Sequence, residues 1–382
     1  MKQQLKVALL AYKDSWESGG SLRVAQLLSE HLPRDLVDAH LVFAYGEPGS
    51  VSRHSTRSVH HLKFQSSRDW RRFPEARSWL RKQNFDILHF IDSIHWLIAL
   101  SLGLKTKRIL HFHGTPDLST MAWSDQLLGV CKRWVADAGI AITHGARRGV
   151  TRLGWMSPRK LHVIQNGVST AYFNSMPSKQ EAQAQLGIPV EATVFGAVAR
   201  FNDGCGLMES LAVLQHLPEH WHLLLVGDGR IRNDLLTRAR EMKLQNRLHL
   251  PGMLNDVRPA YAAMDCVIML ARYQSFCLML AEAMLARRPI VGLQGAGEYT
   301  EREYPLITQE NALLFPREKP WDPNHLEPEG VYQKLANQMV HLTNNPMQVR
   351  HMVNSGYEWV STRFSAERQA ARCLQLYRNL VS

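Results

Sequence analysis

Cysteine is scarce in this sequence, and the cysteines that occur are scattered. The five of them are odd in number and show no spacing typical of a metal site or a disulfide framework. Isolated thiols of this kind are typical of proteins from a reducing compartment. We therefore exclude a disulfide scaffold and expect a cytoplasmic protein.

Long apolar runs are also missing. No stretch approaches the roughly 20 apolar residues that a membrane-spanning helix needs. The N-terminal run LKVALLAY is only as long as a strand, and DSWESGG follows it rather than a small-residue cleavage site. We therefore expect neither a signal peptide nor a membrane span, and any membrane contact would be peripheral, on the inner face.

Acidic residues are outnumbered by basic ones. The 382 residues include 45 Lys and Arg against 34 Asp and Glu, which gives a formal net charge of +11. This excess favours an anionic partner, such as nucleotide phosphates, an anionic membrane surface or nucleic acid. Nucleic acid is not expected, because no known binding module is recognisable. The alternative is an enzyme that is simply basic.

Short apolar runs alternate with helical patterns along the chain. LKVALLAY predicts a buried strand and SLRVAQLLSEHL an amphipathic helix, and similar pairs follow. Such alternation predicts βαβ units with a parallel sheet, and a polar stretch at about 169–189 separates two series of them. We predict an α/β fold with two doubly wound Rossmann-like domains, 1–172 and 173–364. The last helix, about 365–382, is expected to pack back on the first domain.

Residues that follow strands are the candidate ligand-binding residues of such sheets. Gly19 and Gly20 follow the first strand, where backbone N–H groups can approach a phosphate at a helix N-terminus. Arg200 follows the strand TVFGAVA and can clamp a diphosphate. For the two glycines the alternative is a flexible turn. For Arg200 the alternative is a surface ion pair. The fingerprint G-x-G-x-x-G is absent, which argues against an NAD-dependent dehydrogenase.

The segment RYQSFCLMLAEAM predicts a polar loop followed by an apolar helix that carries one acid. If the helix begins near Ser275 or Phe276, its first N–H groups can bind an anion. Glu282 lies further along the helix, where a carboxylate can accept hydrogen bonds from the two hydroxyls of a ribose. The alternative is an ion pair of Glu282 with Arg287 or Arg288.

The order of these landmarks resembles that of the retaining, nucleotide-sugar-dependent glycosyltransferases of family 4 (group 1). These enzymes have the GT-B fold, in which two Rossmann-like domains face each other across a cleft. The matching segments span nearly the whole chain: GGSLRVAQLLSEHL, DILHFIDS, HFHG, HVIQNGVSTAYF, VARF with GLMESLAVL, LLLVGDGRIRNDL, RLHLPGMLNDV and QSFCLMLAEAMLARRPIV.

The resemblance implies an enzyme that moves a sugar from a nucleotide diphosphate sugar, UDP- or GDP-linked, to a hydroxyl acceptor. The anomeric configuration would be retained, and neither a metal nor another cofactor would be needed. The implied setting is the synthesis of envelope polysaccharide, lipid or glycoconjugate, with a saccharide or lipid-linked acceptor.

The resemblance also implies a role for each site residue. In the N-terminal, acceptor-binding domain, Gly19 and Gly20 would back the sugar and diphosphate. His113 would orient sugar or acceptor hydroxyls, and Arg200 would bind the diphosphate in the C-terminal, donor-binding domain. The remaining donor contacts would be the main-chain N–H groups of Phe276, Cys277 and Leu278, the ribose ligand Glu282, and Gly252 and Met253 beside the base.

Two positions depart from the family pattern. Gln274, which we still assign to the catalytic and donor-binding set, stands where relatives usually have a glutamate. Its amide could favour a donor sugar that carries its own carboxylate. Cys205 stands where a lysine is usual, and loss of that charge-assisted hydrogen bond would cost about 1.5–3 kcal/mol, or roughly ten- to a hundredfold in rate. A degenerate member that binds a ligand or partner subunit without turnover therefore stays open.

His111 and His113 lie on the same side of the run ILHFHG, so one of them is a candidate core histidine. Gly114 follows His113, which favours His113 as the residue that meets a ligand. No acid lies at metal-ligand spacing from either histidine, so we expect no zinc site.

The segment 51–85 holds nine Lys and Arg against two Asp and Glu, interleaved with aromatic residues. DWRRFPEARSWLRK predicts a basic amphipathic helix with Pro74 in its first turn. Such a helix could rest on anionic lipid. The alternative is a helix packed on its own domain.

Overall fold

The structure, a computed structural model, describes residues 4–15, 19–66, 69–114, 121–271, 275–294, 306–315 and 329–382. The chain divides into two compact units. The first unit comprises Met1–Val168 and Phe364–Ser382, and the second comprises Ser169–Arg363. Each unit is built around one parallel sheet with helices, which confirms the predicted α/β class.

The described strands of the first unit are β1 (Leu5–Lys13), β2 (Val37–Tyr45), β3 (Ser58–Phe64), β4 (Ile87–Phe90), β5 (Lys107–Phe112), β6 (Ala138–Ala141) and β7 (Leu161–Val163). They form a sheet in the order β3-β2-β1-β4-β5-β6-β7. All neighbours pair in parallel. The strand order reverses between β1 and β4, and ligands of doubly wound sheets bind at such a reversal.

The described helices of the first unit are α1 (Gly20–His31), α2 (Ser50–His54), α3 (Phe73–Gln83), α4 (His95–Leu100), α5 (Trp123–Val135), α6 (His144–Arg152) and the last helix, α14 (Ala366–Val381). α1 and α14 pack on one face of the sheet, and α3, α4 and α6 pack on the other. Because both faces are covered, the strands are near-continuous apolar runs, and this made them visible in the sequence.

The second unit repeats the scheme. Its described strands are β8 (Thr193–Val198), β9 (Trp221–Val226), β10 (Leu248–Gly252), β11 (Cys266–Met269), β12 (Ile290–Leu293) and β13 (Leu313–Phe315), in the order β10-β9-β8-β11-β12-β13. Its described helices are α7 (Lys179–Gln185), α8 (Leu207–Gln215), α9 (Arg232–Glu241), α10 (Arg258–Ala263), α11 (Leu278–Leu285), α12 (Glu329–Thr343) and α13 (Pro346–Arg363). Among the helices in the described ranges, none is long and apolar enough to cross a membrane.

α14 completes the core of the first unit from the far end of the chain. Its buried residues Ala370, Cys373 and Tyr377 belong to the same apolar cluster as the inner residues of β1. The N–H of Val168 donates to the carbonyl of Phe364 at 2.8 Å, so the segment that leaves this unit lies beside the segment that returns to it.

The basic segment 51–85 contains a strand that the sequence pattern does not predict. β3 is at the edge of its sheet and its side chains are only partly buried, so no continuous apolar run marks it. α3 has Pro74 in its first turn, as predicted. Phe73 and Trp79 pack against the core, whereas Trp70, just before the helix, is 74% exposed.

Three histidine rings stack where β4 and β5 lie side by side. The ring centroids of His89 and His111 are 5.2 Å apart, and those of His111 and His113 are 4.5 Å apart. His89 Nδ1 shares a hydrogen bond of 2.7 Å with the hydroxyl of Tyr377 on α14. Burial lowers the pKa of all three rings, and that of His89 to about 3. The fold therefore holds these rings neutral at pH 7.

Acidification is expected to destabilise the first unit through this histidine stack. A histidine whose pKa is lower in the folded state contributes stability above its unfolded pKa of about 6.5, and that contribution is lost as the pH falls toward the folded pKa. The free energy of unfolding should decrease by about 1.4 kcal/mol per pH unit for each such histidine in that window. Denaturant titrations at a series of pH values measure the slope. His89→Gln should make it shallower, and an unchanged slope would contradict the assignment.

Candidate active site

Three loops of the second unit carry the predicted donor-binding residues. They follow β8, β10 and β11, and they lie at one edge of the sheet because neighbouring parallel strands end at the same edge. Arg200 lies in the first loop, Gly252 and Met253 in the second, and the segment before α11 in the third. Gln274 lies outside the described residues.

The loop after β8 is tied to the loop after β9. The N–H of Phe201 donates to the carbonyl of Asp228 at 2.9 Å, and the N–H of Ile231 donates to that of Phe201 at 3.2 Å. Gly227 has a φ of 138°, and a Cβ there would lie 1.9 Å from the carbonyl oxygen of Ala199. Only glycine fits this approach, which fixes the backbone on which the exposed Arg200 stands.

Cys205 and Gly206 end the same loop and begin α8. Gly206 is the N-cap residue with a φ of 78°, and a Cβ there would lie 2.4 Å from the carbonyl carbon of Leu270. Burial raises the pKa of the Cys205 thiol, so this side chain is neutral at pH 7. The position that usually carries a lysine thus supplies no positive charge, and Arg200 is the basic residue of the sequence ARFNDGCG.

α11 begins later than the sequence predicts. Its first residue is Leu278 and its N-cap is Cys277, so the expected start near Ser275 or Phe276 is wrong by two to three residues. Cys277 has an extended backbone, which ends the helix on its N-terminal side, and it provides no side-chain cap. Leu278 provides an N–H group of the first helical turn, whereas Phe276 precedes the helix.

Glu282 is bound by a tyrosine that the sequence analysis missed. The hydroxyl of Tyr261 on α10 donates to Glu282 Oε2 at 2.9 Å. Tyr261 is fully buried, and its burial, followed by the charge of Glu282, raises its pKa far above the ordinary value. It therefore remains a neutral donor that holds the carboxylate in one orientation. The signal in the sequence is one tyrosine within the otherwise small and apolar run PAYAAM.

The two arginines considered as partners of Glu282 make other contacts. The guanidinium of Arg287 lies 4.1 Å from the ring centroid of Tyr357 and donates to Asn354 Oδ1 at 2.7 Å. Arg288 donates to the carbonyls of Ala286 and Met264 at 3.2 Å.

Gly252 and Met253 lie at the end of β10. Gly252 has a φ of 85°, and its carbonyl accepts a hydrogen bond of 2.9 Å from the N–H of Gly227. Hydrogen bonding thus links the ends of β9 and β10. The side chain of Met253 is 43% exposed, so it can contact a ligand at this edge.

In the first unit, Gly19 and Gly20 lie at the start of α1. Gly19 is the N-cap residue with a φ of 88°, a conformation that favours glycine, and Gly20 is the first helical residue. The carboxylate of Asp14 anchors the preceding loop, since it accepts hydrogen bonds from the N–H groups of Gly49 at 2.8 Å and Val51 at 3.0 Å. The side chain of Asp14 therefore serves as the cap of α2.

His113 and His111 differ in burial, and the assignment of His113 as the residue that meets a ligand stays a prediction. His111 is buried, and neither of its ring nitrogens has a hydrogen-bond partner among the described residues. His113 is half-buried, and its Nε2 lies 3.0 Å from the carbonyl oxygen of Ile91. A carbonyl only accepts, so Nε2 carries the proton and Nδ1 of the neutral ring is an acceptor. His113 can thus accept a hydrogen bond from a hydroxyl.

A cavity of about 1040 Å³ opens at the carboxyl edge of the first sheet. The sequence analysis did not identify it, although aromatic residues at the ends of apolar runs were a visible signal. Four aromatic residues form one wall: Tyr12, Tyr45, Phe64 and Trp96. The Trp96 indole N–H donates to the Tyr45 hydroxyl at 2.9 Å, and the Trp96 ring centroid lies 4.3 Å from that of Phe64.

Polar groups also line this cavity, which we call the aromatic pocket. Lys13, Gln65, His95 and Asp125 are among its lining residues. His95 Nδ1 lies 3.8 Å from Asp125 Oδ1. Burial, and then the charge of Lys132, lowers the pKa of His95 to about 4, so the ring is neutral at pH 7. A lining of both rings and hydrogen-bonding groups suits a ligand with apolar and hydroxylated surfaces.

Both units match models of glycosyltransferase families. The model of Glycosyltransferase Family 4 matches residues 18–172, and that of Glycosyl transferases group 1 matches residues 192–326. The lipopolysaccharide core biosynthesis glycosyltransferase LpsE of Rhizobium meliloti (strain 1021) is 24% identical over 363 residues, which cover 87% of this chain and 97% of the relative.

Solved structures share the fold over the full length. HepE of Anabaena in complex with UDP and glucose superposes with a TM-score of 0.81 at 17% identity, over 98% of this chain and 100% of that chain. Sucrose-phosphate synthase of Thermosynechococcus elongatus superposes with a TM-score of 0.77 at 20% identity, over 99% of each chain. The chain therefore belongs to the family 4 (group 1) glycosyltransferases, and its fold is GT-B.

Proposed function

We propose that this glycosyltransferase moves a sugar from a nucleotide diphosphate sugar, UDP- or GDP-linked, to a hydroxyl acceptor with retention of configuration. The observation that carries the proposal is the carboxyl edge of the second sheet, where the loops that carry Arg200 and the start of α11 follow the neighbouring strands β8 and β11, and where Tyr261 orients Glu282. The UDP and UDP-glucose complexes of HepE support the choice of donor. The name of LpsE supports a role in envelope saccharide synthesis.

Each residue of this edge has a role that follows from its chemistry. Arg200 binds the diphosphate, since a guanidinium can donate two parallel hydrogen bonds to phosphate oxygens. The N–H groups of Leu278 and its neighbours Phe276 and Cys277 add donors beside the positive end of the α11 dipole. Glu282, oriented by Tyr261, accepts hydrogen bonds from the ribose hydroxyls, and Met253 with Gly252 lies beside the base.

The chemical step needs charge stabilisation more than a protein base. The leaving diphosphate takes the proton of the acceptor hydroxyl on the face of attack, so the sugar keeps its configuration. Arg200 and the helix N-terminus stabilise the charge that develops on the diphosphate, which makes a metal ion unnecessary. Gln274 contributes hydrogen bonds to the sugar hydroxyls, and the family resemblance assigns the same kind of contact to Gly19, Gly20 and His113 Nδ1.

The aromatic pocket takes the acceptor. A pyranose ring has an apolar face that packs on Tyr or Trp rings, and its hydroxyls suit Gln65, His95 and Asp125.

Peripheral membrane contact through 51–85 is a separate proposal, and it rests on the exposed Trp70 and the adjacent Arg71, because Phe73 and Trp79 face the core.

A thermal-shift panel of UDP-, GDP-, ADP- and TDP-sugars tests the donor. A ligand at a hundredfold its Kd stabilises the folded state by about 2.7 kcal/mol, which raises the melting temperature by several degrees. We expect a UDP- or GDP-sugar to do so, equally in EDTA. If no nucleotide sugar raises the melting temperature, the degenerate binding protein is favoured instead. If EDTA abolishes the rise in melting temperature, metal independence is contradicted. The anomeric configuration of the product, measured by NMR, tests retention.

Arg200→Ala is expected to lower kcat/KM for the nucleotide sugar about ten- to a hundredfold, since a charge-assisted hydrogen bond is worth about 1.5–3 kcal/mol. Steady-state kinetics measure the loss. Arg238→Ala is the matched control, because that exposed arginine pairs only with Glu241 on the same helix among its described contacts. Equal activity of both variants would remove Arg200 from the site.

Glu282→Gln should raise the Kd for the nucleotide by a larger factor than it lowers kcat.

Trp96→Ala is expected to lower transfer to extracted membrane saccharides and lipids by at least about tenfold, because stacking of an acceptor on aromatic rings is lost. The thermal shift caused by the nucleotide sugar should stay unchanged. Transfer of radiolabelled sugar into the extract measures the effect, and Trp96→Phe should restore most of it. Normal transfer by Trp96→Ala would place the acceptor elsewhere.

A further inference from the structure

The helix α5 has its apolar side turned to solvent. Trp123 is 76% exposed, Leu127 is 57% exposed and Trp134 is 70% exposed. Spacings of four and seven residues put these three side chains on one face of a helix, so they form a continuous row. We call Trp123, Leu127 and Trp134 the α5 row. Leu128, at 45% exposure, lies beside it.

The packing of the opposite side of α5 explains why these large apolar side chains face solvent. Gly129 and Lys132 are the buried residues of the helix. A Cβ at Gly129 would lie 2.1 Å from the ring of Trp155, so the helix approaches that ring through glycine. Lys132 Nζ lies 4.9 Å from the Trp155 ring centroid, and burial lowers its pKa to about 8. A lysine is thus packed inside while two tryptophans remain outside, which points to a surface that meets another apolar phase.

The charge around the α5 row identifies that phase. Without the buried Lys132, the stretch 123–160 contains six Lys and Arg against two Asp. The Arg133 guanidinium lies 5.3 Å from the Trp134 ring centroid, and the next helix along the chain, α6, carries the exposed Arg148 and Arg152. Tryptophans beside arginines on one helix face are typical of the boundary between lipid headgroups and acyl chains. A second copy of this chain would bring the same positive charge and be repelled.

We propose that the α5 row docks the first unit on an anionic lipid surface. Asp125 and Leu128 of the same helix line the aromatic pocket, so docking places that pocket within one helix diameter, about 10 Å, of the lipid surface. The acceptor is then one that a lipid carries, a saccharide on a lipid or a lipid headgroup with a free hydroxyl. This second step rests on the proposed function, whereas the docking itself does not.

Vesicle sedimentation with the full chain tests the docking. The probes are vesicles of phosphatidylcholine alone and of phosphatidylcholine with phosphatidylglycerol, at low salt. We expect binding to the anionic vesicles, and the triple variant Trp123→Ser, Leu127→Ser, Trp134→Ser should bind them at least about tenfold more weakly, because its apolar contact is lost. Trp70→Ser measures the separate contribution of segment 51–85, and Met347→Ser is the matched control, because Met347 is an apolar residue of the second unit that is 82% exposed.

Loss of binding in the triple variant supports the proposal whether or not Trp70→Ser also binds less. Three results would overturn it: no binding of the unaltered chain, unchanged binding by the triple variant, or a dimer in solution that the triple variant abolishes. The melting temperature shows whether the triple variant folds, and Arg133→Glu, which leaves the apolar row intact, should weaken binding as well. A chain that binds vesicles but no nucleotide sugar would refute the proposed function alone.

Discussion

Every described strand of both sheets runs parallel to its neighbours, so each connection between them must cross back over a face of the sheet. The crossing helices bury the strands on both sides, and few polar groups can be placed within the sheets. What remains for chemistry is the edge where the strands end. Arg200, Gly252 and the segment before α11 lie at that edge in the second unit, and Tyr12, Gly19 and His113 do so in the first. The direction of the strands thus decides where this protein can act.

The sequence predicts the strands and helices whose burial produces a regular pattern of apolar residues. β1, buried on both faces, is a continuous apolar run, and α14 shows a regular amphipathic pattern, so both were recognisable. β3 escaped because an edge strand needs no continuous apolar run, and its histidines hide the pattern. The start of α11 was misplaced because Cys277 gives no capping signal.

Contacts between distant positions could not be read from the chain. The pairing of Glu282 with Tyr261 joins residues 21 positions apart on two helices, and the sequence offered only Arg287 or Arg288 as alternative partners. The α5 row was invisible for another reason. A helix with tryptophan, leucine and valine reads as a core element, and only the fit of Gly129 against Trp155 shows which side faces inward. The following Gly114 favoured His113 over His111, and His113 is the less buried of the two rings.

The last helix has a consequence for how the chain is made. The core of the first unit includes Ala370, Cys373 and Tyr377, which leave the ribosome after the whole second unit. The face of the first sheet that α14 covers therefore keeps part of its apolar surface exposed while about two hundred residues are synthesised at some 5–20 residues per second. The second unit can fold in that interval, although its sequence comes later. For this protein the order of synthesis and the order of completion are reversed, and the N-terminal sheet is the part whose apolar surface stays uncovered longest.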